Sequence, residues 1–198
     1  MTEDKFIVIN SNETYKENER AFLQINAEYR YWNFTKLVEL IPTFKDFWNQ
    51  RAEEYIKFDK LMANYELQAK TGEPTEMSKK AYKDFFNEKN IHVLLVSGSD
   101  VIGQAAIEAK EKFAILEKVY VKPEYRQNGY GKKILTKMVE ICKDLQYTLI
   151  KLESAPFMKN AHKMYEEFGF TRIGHFPEVG HSKEFGEEAG AIYMELLL

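Results

Sequence analysis

The six residues 126–131, Arg-Gln-Asn-Gly-Tyr-Gly, have the composition of a phosphate-binding loop. They follow an apolar run at 113–121 that predicts a strand, and they precede apolar residues at helical spacing that predict a helix over 131–146. A glycine-rich turn at the start of a helix exposes backbone N–H groups, and the helix dipole adds partial positive charge there. Glycine also lets a phosphate approach closely, because it has no side chain. The segment therefore predicts binding of a phosphorylated ligand.

Two common phosphate-binding motifs do not match this loop. A P-loop places Lys and then Ser or Thr after its last glycine, whereas Gly131 is followed by Lys132 and Lys133. A dinucleotide-binding fingerprint needs a third glycine, and Ile134 occupies that position. The remaining pattern is R-x-x-G-x-G, preceded by Val-Tyr-Val-Lys-Pro-Glu-Tyr at 119–125. Taken alone, the six residues are also compatible with an ordinary strand-to-helix turn.

With its flanking strand and helix, this run resembles the acetyl-CoA-binding segment of the GNAT superfamily of N-acetyltransferases. A second segment is similar to the family's later cofactor-contacting helix. Its apolar residues from Ala161 to Phe168 lie on one helix face, and Gly169 follows as a residue suited to a left-handed cap. The resemblance covers roughly residues 93–198. Members often carry an Asn seven residues before the Tyr of this helix, whereas Met158 stands there in this chain and Asn160 is the nearest Asn.

The resemblance implies acetyl-CoA as co-substrate and a set of residues that bind it. The loop N–H groups would anchor the pyrophosphate, with basic side chains nearby. The pantetheine arm, which resembles a peptide, would pair with strand backbone where the sheet splays open. The predicted cofactor-binding residues are Val119, Val121, Arg126, Gln127, Asn128, Gly129, Tyr130, Gly131, Lys132 and Asn160.

The family transfers an acetyl group to an amine, usually by direct attack, and this chemistry needs a base and an acid. The attacking amine has a pKa of about 10, so a carboxylate would accept its proton directly or through a water. Two candidates are Glu117, on the strand before the loop, and Glu153, twelve residues before Tyr165. Either could instead be a solvated strand residue. Tyr165 matches the family's usual acid for the departing CoA thiolate, and a core aromatic is the alternative interpretation of this residue.

The pattern along the chain predicts a mixed α/β fold of the α+β type, with its sheet in the second half. The resemblance implies one GNAT-like domain over 1–198, with a splayed central sheet of about six to seven strands flanked by helices. An enlarged helical region would fill residues 1–90 after the first strand, and the cofactor-binding core would span 91–198. The predicted strands are 5–10, 92–97, 101–109, 113–121, 147–153, 170–176 and 191–198.

The first half of the chain has a helical pattern. A capping box at Thr14 and Glu17 predicts the start of a helix of roughly five turns. After Pro42 the apolar residues keep a helical period, which predicts one long helix over 43–70 and then a shorter one around 81–85. The long helix has three interpretations: a cover over the substrate side, a contact in a homodimer, or a packing helix without a specific role.

Composition restricts the function classes. The 198 residues carry a formal net charge of −3 without a Lys- or Arg-rich block, so nucleic-acid binding is not expected, and a cationic substrate would suit the charge. The single cysteine, Cys142, predicts a core thiol in a reducing cytoplasm. Neither a signal peptide nor an apolar run long enough for a membrane is recognisable, so no membrane association is expected. The histidines lack metal-ligand spacing and predict no metal site: His92, His162, His175 and His181.

The leading functional hypothesis is an acetyl-CoA-dependent N-acetyltransferase acting on a primary amine of a small molecule. One alternative acetylates a protein N-terminus or a lysine. Another, of a different class, is a non-catalytic acyl-CoA-binding sensor or scaffold, which would keep the loop and lose the acid and base. The loop before the last strand carries four glutamates, which suit either a cationic acceptor or a solvated acidic loop: Glu178, Glu184, Glu187 and Glu188.

Overall fold

The computed structural model describes residues 4–50, 56–85, 90–178 and 190–198. The chain forms two compact units. The first consists of Met1–Asn10 and Glu88–Leu198 and contains the sheet, and the second is the helical unit Ser11–Asn87.

The first unit is built on a seven-stranded sheet in the order β1-β2-β3-β4-β5-β7-β6. Neighbouring strands are antiparallel except for β4 and β5, which are parallel. The mixed α/β prediction is thus confirmed. The strands are β1 Asp4–Ile9, β2 Asn90–Ser97, β3 Asp100–Ala109, β4 Ala114–Val121, β5 Leu149–Ser154, β6 Thr171–Ile173 and β7 Ile192–Leu197. The predicted strand 170–176 is therefore only three residues long.

One face of the sheet packs against two helices, α5 (Tyr130–Asp144) and α6 (Lys159–Phe168). Alternation along the strands sends one set of side chains into this core, where each large apolar side chain contributes about 1.5–3 kcal/mol by leaving water. Burial raises the pKa of the Cys142 thiol to about 12, so this residue of α5 is a neutral core thiol, as its sequence position predicted. The fully buried core residues include Val93, Leu95, Ile107, Ile134, Leu135, Met138, Ile150 and Leu152.

Gly103 on β3 allows α5 to approach the sheet. A Cβ added there would lie 2.8 Å from both the Ile134 Cδ1 atom and the Tyr120 carbonyl oxygen. We expect Gly103→Ala to lower the free energy of unfolding by about 1–3 kcal/mol, because the backbone oxygen cannot move aside as a side chain can. Urea denaturation checks this value. Gly174→Ala is the matched control, since a Cβ there meets nothing within 4 Å, and an equal loss in both variants would contradict the packing argument.

The second unit contains α1 (Asn12–Leu40), α2 (Phe44–Gln50), α3 (Phe58–Thr71) and α4 (Glu76–Phe85). The predicted capping box at Thr14 and Glu17 is wrong, because the helix begins three residues earlier. The Ser11 Oγ atom accepts from the Thr14 N–H at 3.2 Å, and the Thr14 Oγ1 atom accepts from the Ser11 N–H at 3.1 Å. The 29 residues of α1 make about eight turns rather than five.

The single long helix predicted over 43–70 is also wrong. Lys57 has φ −55° and ψ 143°, outside the helical region, and α3 begins at the next residue. The Asn49 Oδ1 atom accepts from the Phe58 N–H at 2.9 Å, and residues 51–55 lie outside the described part of the chain. The helical period persisted in the sequence because both short helices place aromatic rings on Phe34 of α1. The ring centroids of Trp48 and Phe58 lie 5.4 and 5.9 Å from that of Phe34.

Candidate active site

The sheet opens into a fork between β4 and β5. The two strands pair over only three rungs, from Ala114 with Ile150 to Leu116 with Leu152. Strand β4 then continues to Val121 without β5, whose other edge pairs with β7 along the whole of Leu149–Ser154. The carboxyl half of β4 therefore has an edge without a β5 partner, where an extended ligand can form backbone hydrogen bonds.

The backbone groups of Val119 and Val121 face this open edge. The Lys122 N–H donates to the Ile102 carbonyl oxygen on β3 at 2.9 Å, so alternation directs the polar groups of the two valines to the opposite side. The Val121 carbonyl oxygen accepts from the Arg126 Nε–H at 2.9 Å. Both valine side chains pack against the core, so the backbone alone is presented to the fork.

A β-bulge lies at the mouth of the fork. Between two rungs of the β3–β4 ladder, β4 takes three steps from Glu117 to Tyr120 while β3 takes two from Ala106 to Gln104. The additional residue permits Lys118 to have φ +54°, a left-handed conformation that costs a non-glycine residue about 1–3 kcal/mol. Sequence analysis did not single out Lys118. Bulges often lie beside active sites because they redirect side chains.

The two candidate bases lie together on the rung that follows the last β4–β5 pair. Leu116 and Leu152 point into the core, so Glu117 and Glu153 point to the opposite face of the sheet. Burial and, second, the negative charge of Glu117 raise the pKa of Glu153 to about 7. The structure thus brings the two carboxylates close enough to influence each other, although 36 positions separate them in the sequence.

The loop 126–131 joins this fork to α5. Gln127 and Gly129 have positive φ values of 65° and 79°, and α5 begins at Tyr130. Within the described residues, the backbone N–H groups from Gln127 to Lys132 donate no hydrogen bond in the chain itself. Left-handed residues in a turn before a helix direct consecutive N–H groups into a concave surface suited to an anion. Arg126 is held beside the loop, its guanidinium 5.6 Å from the centroid of the Tyr120 ring.

Helix α6 contacts the start of α5. A Cβ added to Gly131 would lie 2.8 Å from the Met164 Sδ atom, so this glycine has a packing role besides its place in the loop. Tyr165 is 5% exposed and its ring centroid lies 5.6 Å from that of Phe170, which places it in the core cluster beside α5. Gly169 caps the helix at φ +110°, as the sequence predicted. The Asn160 side chain is exposed in the first turn.

The predicted absence of a metal site and the acidic loop before the last strand concern residues that are only partly described. Burial and the charge of Lys118 lower the pKa of His92 to about 3, so it is neutral on the same rung as Glu117. The described residues contain no group of three side chains suited to a metal ion, and none of their helices is long and apolar enough to cross a membrane. Glu178 is exposed, whereas His181, Glu184, Glu187 and Glu188 lie outside the described residues.

Comparison with known proteins identifies related chains. The thialysine N-epsilon-acetyltransferase of Bos taurus is 39% identical over 54 residues, or 27% of this chain and 32% of that protein. The protein of the same name from Sus scrofa is 36% identical over 74 residues, or 37% of this chain and 43% of that protein. The aligned segments thus span less than half of these curated relatives.

A solved structure shares the whole fold. The crystal structure of the paia N-acetyltransferase from Thermoplasma acidophilum in complex with coenzyme A has a TM-score of 0.58 and 16% identity, over 98% of this chain and 99% of that chain. The model of the acetyltransferase (GNAT) family matches residues 44–170, which are more than half of the sequence. With the family match spanning both the fork of the sheet and the loop that follows it, the chain belongs to the acetyltransferase (GNAT) family.

Proposed function

We propose that the protein transfers the acetyl group of acetyl-CoA to a primary amine of a small molecule. One observation carries the proposal: the open edge of β4 lies between an anion-binding loop and two carboxylates. The loop at one end suits a phosphate, the edge suits an amide-containing chain, and the carboxylates suit an amine. These are the three parts that acetyl transfer from CoA must bring together.

The residues of the fork fit acetyl-CoA as the acetyl donor. The unused N–H groups of residues 127–132 would bind the pyrophosphate, with the exposed ammonium of Lys132 beside them. The backbone groups of Val119 and Val121 would pair with the amides of the pantetheine arm. With the cofactor bound in this way, the thioester would lie near the β-bulge, where a backbone N–H of β4 could donate to the carbonyl oxygen as negative charge develops on it.

The side chains around the thioester supply the proton transfers. A carboxylate of the pair accepts a proton from the ammonium form of the acceptor, and the free amine attacks the thioester carbon. The carbon–nitrogen bond forms, the carbon–sulfur bond breaks, and the nitrogen loses a second proton. Tyr165 donates a proton to the thiolate and regains one from water, so each turnover releases one proton in total.

Two observations support a small molecule as the acetyl acceptor: the names of the curated relatives and the carboxyl groups at the fork. The name of the curated relatives describes acetylation of the ε-amine of thialysine, a primary amine on a short flexible chain. Two carboxyl groups lie at the fork with a single lysine paired to one of them, an arrangement that favours a cationic amine. A protein N-terminus or lysine is the alternative acceptor, and an acyl-CoA-binding sensor is the alternative without catalysis.

Release of CoA in the presence of an amine panel tests the proposal. The panel contains thialysine, lysine, diamines and a peptide with a free N-terminus, and mass spectrometry identifies the acetylated product. We expect acetylation of a small primary amine, with little turnover of the peptide. Faster acetylation of the peptide would favour the protein acceptor. Tight acetyl-CoA binding without turnover of any amine would favour the sensor.

The loop's part in binding CoA is tested at Gly129. A Cβ there would meet no atom of the described residues within 4 Å, so it would occupy the space through which a phosphate would approach. We expect Gly129→Ala to weaken CoA binding about tenfold or more, equal to about 1.4 kcal/mol, as measured by calorimetry.

The matched control is Gly190→Ala. Gly190 also has a positive φ, 69° against 79° for Gly129, and no atom of the described residues lies within 4 Å of its Cβ position. Both variants should therefore lose similar stability, by about 1–2 kcal/mol from the left-handed strain. Equal CoA affinity in the two variants, with both folded, would place the phosphate site elsewhere.

A further inference from the structure

The charged groups at the fork are arranged asymmetrically. The Lys118 Nζ atom lies 3.8 Å from the Glu117 Oε2 atom, and the Lys118 side chain is only 8% exposed. Within the described residues, the Glu153 carboxylate forms no hydrogen bond or ion pair. In the part of the chain that the structure describes, Glu117 therefore has an ammonium group paired with it and Glu153 has no such partner.

The bulge is the reason why Lys118 reaches Glu117. Successive residues of a regular strand point to opposite faces, so neighbours in the sequence cannot form an ion pair across the sheet. The left-handed conformation of Lys118, φ +54°, interrupts this alternation at the mouth of the fork. The strained residue thus places a buried ammonium group on the carboxylate face.

We propose that Lys118 divides the roles of the two carboxylates: it forms an ion pair with Glu117, and Glu153, which has no such partner among the described residues, is the group that accepts the proton of the acceptor amine. This inference rests on the proposed function and assigns its base. Lys118 and Glu117 are positioning residues, because they act through Glu153 rather than on the amine itself.

The electrostatics of the pair agree with this division. Burial and the charge of Glu117 raise the pKa of Glu153 from 4.5 to about 7. The pKa of an amine, about 10, then exceeds the pKa of the base by about 3 units. For an ordinary glutamate the difference would be about 6 units, so proton transfer to Glu153 is less unfavourable. Glu153 accepts the proton, releases it to water after the carbon–nitrogen bond has formed, and returns to the carboxylate.

The other ionisable groups around Glu153 do not replace Glu117 in this role. Tyr193 on β7 is its register partner, and His92, on the rung of Glu117, is neutral because its pKa is about 3. Lys151, two residues before Glu153, is held between aromatic rings, with its ammonium 4.8 Å from the Phe113 centroid. Glu117 is therefore the charged neighbour that, in addition to burial, raises the pKa of Glu153.

The test compares the pH dependence of kcat/KM in charge variants. Activity should rise with pH through an apparent pKa near 7, because Glu153 must be ionised to accept a proton. Glu117→Gln removes a negative charge and should move this rise to lower pH by about one unit. Lys118→Met removes the compensating cation and should move it to higher pH by a similar amount, and Lys118→Arg should restore it.

Two controls and an independent readout complete the experiment. Lys163→Met removes an exposed lysine of α6 and should leave the profile unchanged, and melting temperatures show which variants are folded. Infrared spectroscopy of the resting protein follows the protonated carboxyl band of Glu153, assigned by its loss in Glu153→Gln. In that titration the midpoint should move to lower pH in Glu117→Gln and to higher pH in Lys118→Met.

The outcomes separate the inference from the proposed function. If no amine is acetylated, the proposed function fails, while the infrared titration still tests the effect of Lys118 and Glu117 on Glu153. An unchanged titration in Lys118→Met, or displacement in the same direction by Lys118→Met and Glu117→Gln, would overturn the division of roles. A pH profile that persists in Glu153→Gln and disappears in Glu117→Gln would reverse the assignment of the base.

Discussion

Tyr165→Phe is expected to lower turnover by about a hundredfold or more, with little change in acetyl-CoA affinity or melting temperature. The substitution deletes the phenolic donor, and loss of a general acid typically costs this much in rate. The ring remains, so its packing 5.6 Å from the Phe170 ring and its buried position are kept. Rapid-quench measurement of the chemical step, together with calorimetry and thermal melting, checks the three parts of the prediction.

Tyr147→Phe is the matched control for this experiment. Tyr147 is a partly buried tyrosine that packs against the same core cluster, just before β5 begins at Leu149. Its substitution also deletes one phenol and should leave turnover unchanged. If Tyr165→Phe left the chemical step as fast as in Tyr147→Phe, Tyr165 would be a core aromatic only, and the thiolate would take its proton from water.

Glu153→Gln is expected to lower kcat/KM by about a hundredfold or more at neutral pH. The amide cannot accept a proton, and at pH 7 an amine with a pKa of about 10 is almost entirely protonated. Raising the pH deprotonates the amine without help, so activity should recover in part toward pH 9–10. The unsubstituted protein is expected to lose activity as the pH falls through about 7, because protonated Glu153 cannot accept a proton. Steady-state kinetics between pH 5.5 and 10 measures both effects.

Glu140→Gln serves as the control for loss of a carboxylate. Glu140 lies on α5 and pairs with Lys137 at 3.1 Å, away from the fork, so its substitution should not change the pH profile. If Glu153→Gln were as active at neutral pH as Glu140→Gln, Glu153 would not be the base. Full activity in a double Glu117→Gln, Glu153→Gln variant would remove both carboxylates from the proton transfer.

The largest errors of sequence analysis fall in the helical unit, and they have a common cause. Aromatic residues at helical spacing predicted one continuous helix over 43–70, yet α2 and α3 are separate helices that both place rings on Phe34. A helical period shows which face is buried but not whether the backbone continues between two segments. The predicted start of α1 lay three residues too late because the prediction relied on a cap that contains a glutamate. The observed cap is formed by Ser11 and Thr14 and contains none.

The sequence by itself determined the features whose residues are contiguous. The loop 126–131, the left-handed cap at Gly169 and the apolar face of α6 each lie within one short segment, and local geometry fixes the relation between their residues. The family resemblance depends on these segments, which is why the fold class was predictable. Apart from β6, which is shorter than predicted, the strand boundaries were also close, because alternation and turn residues mark them locally.

Only the tertiary structure decided how the carboxylates relate to each other. Glu117 and Glu153 lie close together because β4 and β5 pair in parallel as far as Leu116 and Leu152 and then separate. This register cannot be predicted from a local sequence pattern. Regular alternation along β4 would direct the Lys118 side chain to the face opposite Glu117. The bulge interrupts this alternation, so Lys118 lies on the same face as the carboxylates. The pKa of Glu153 follows from burial and from a neighbour on another strand. Electrostatic coupling depends on distance in space, so residues far apart in the sequence acquire it only when the sheet forms.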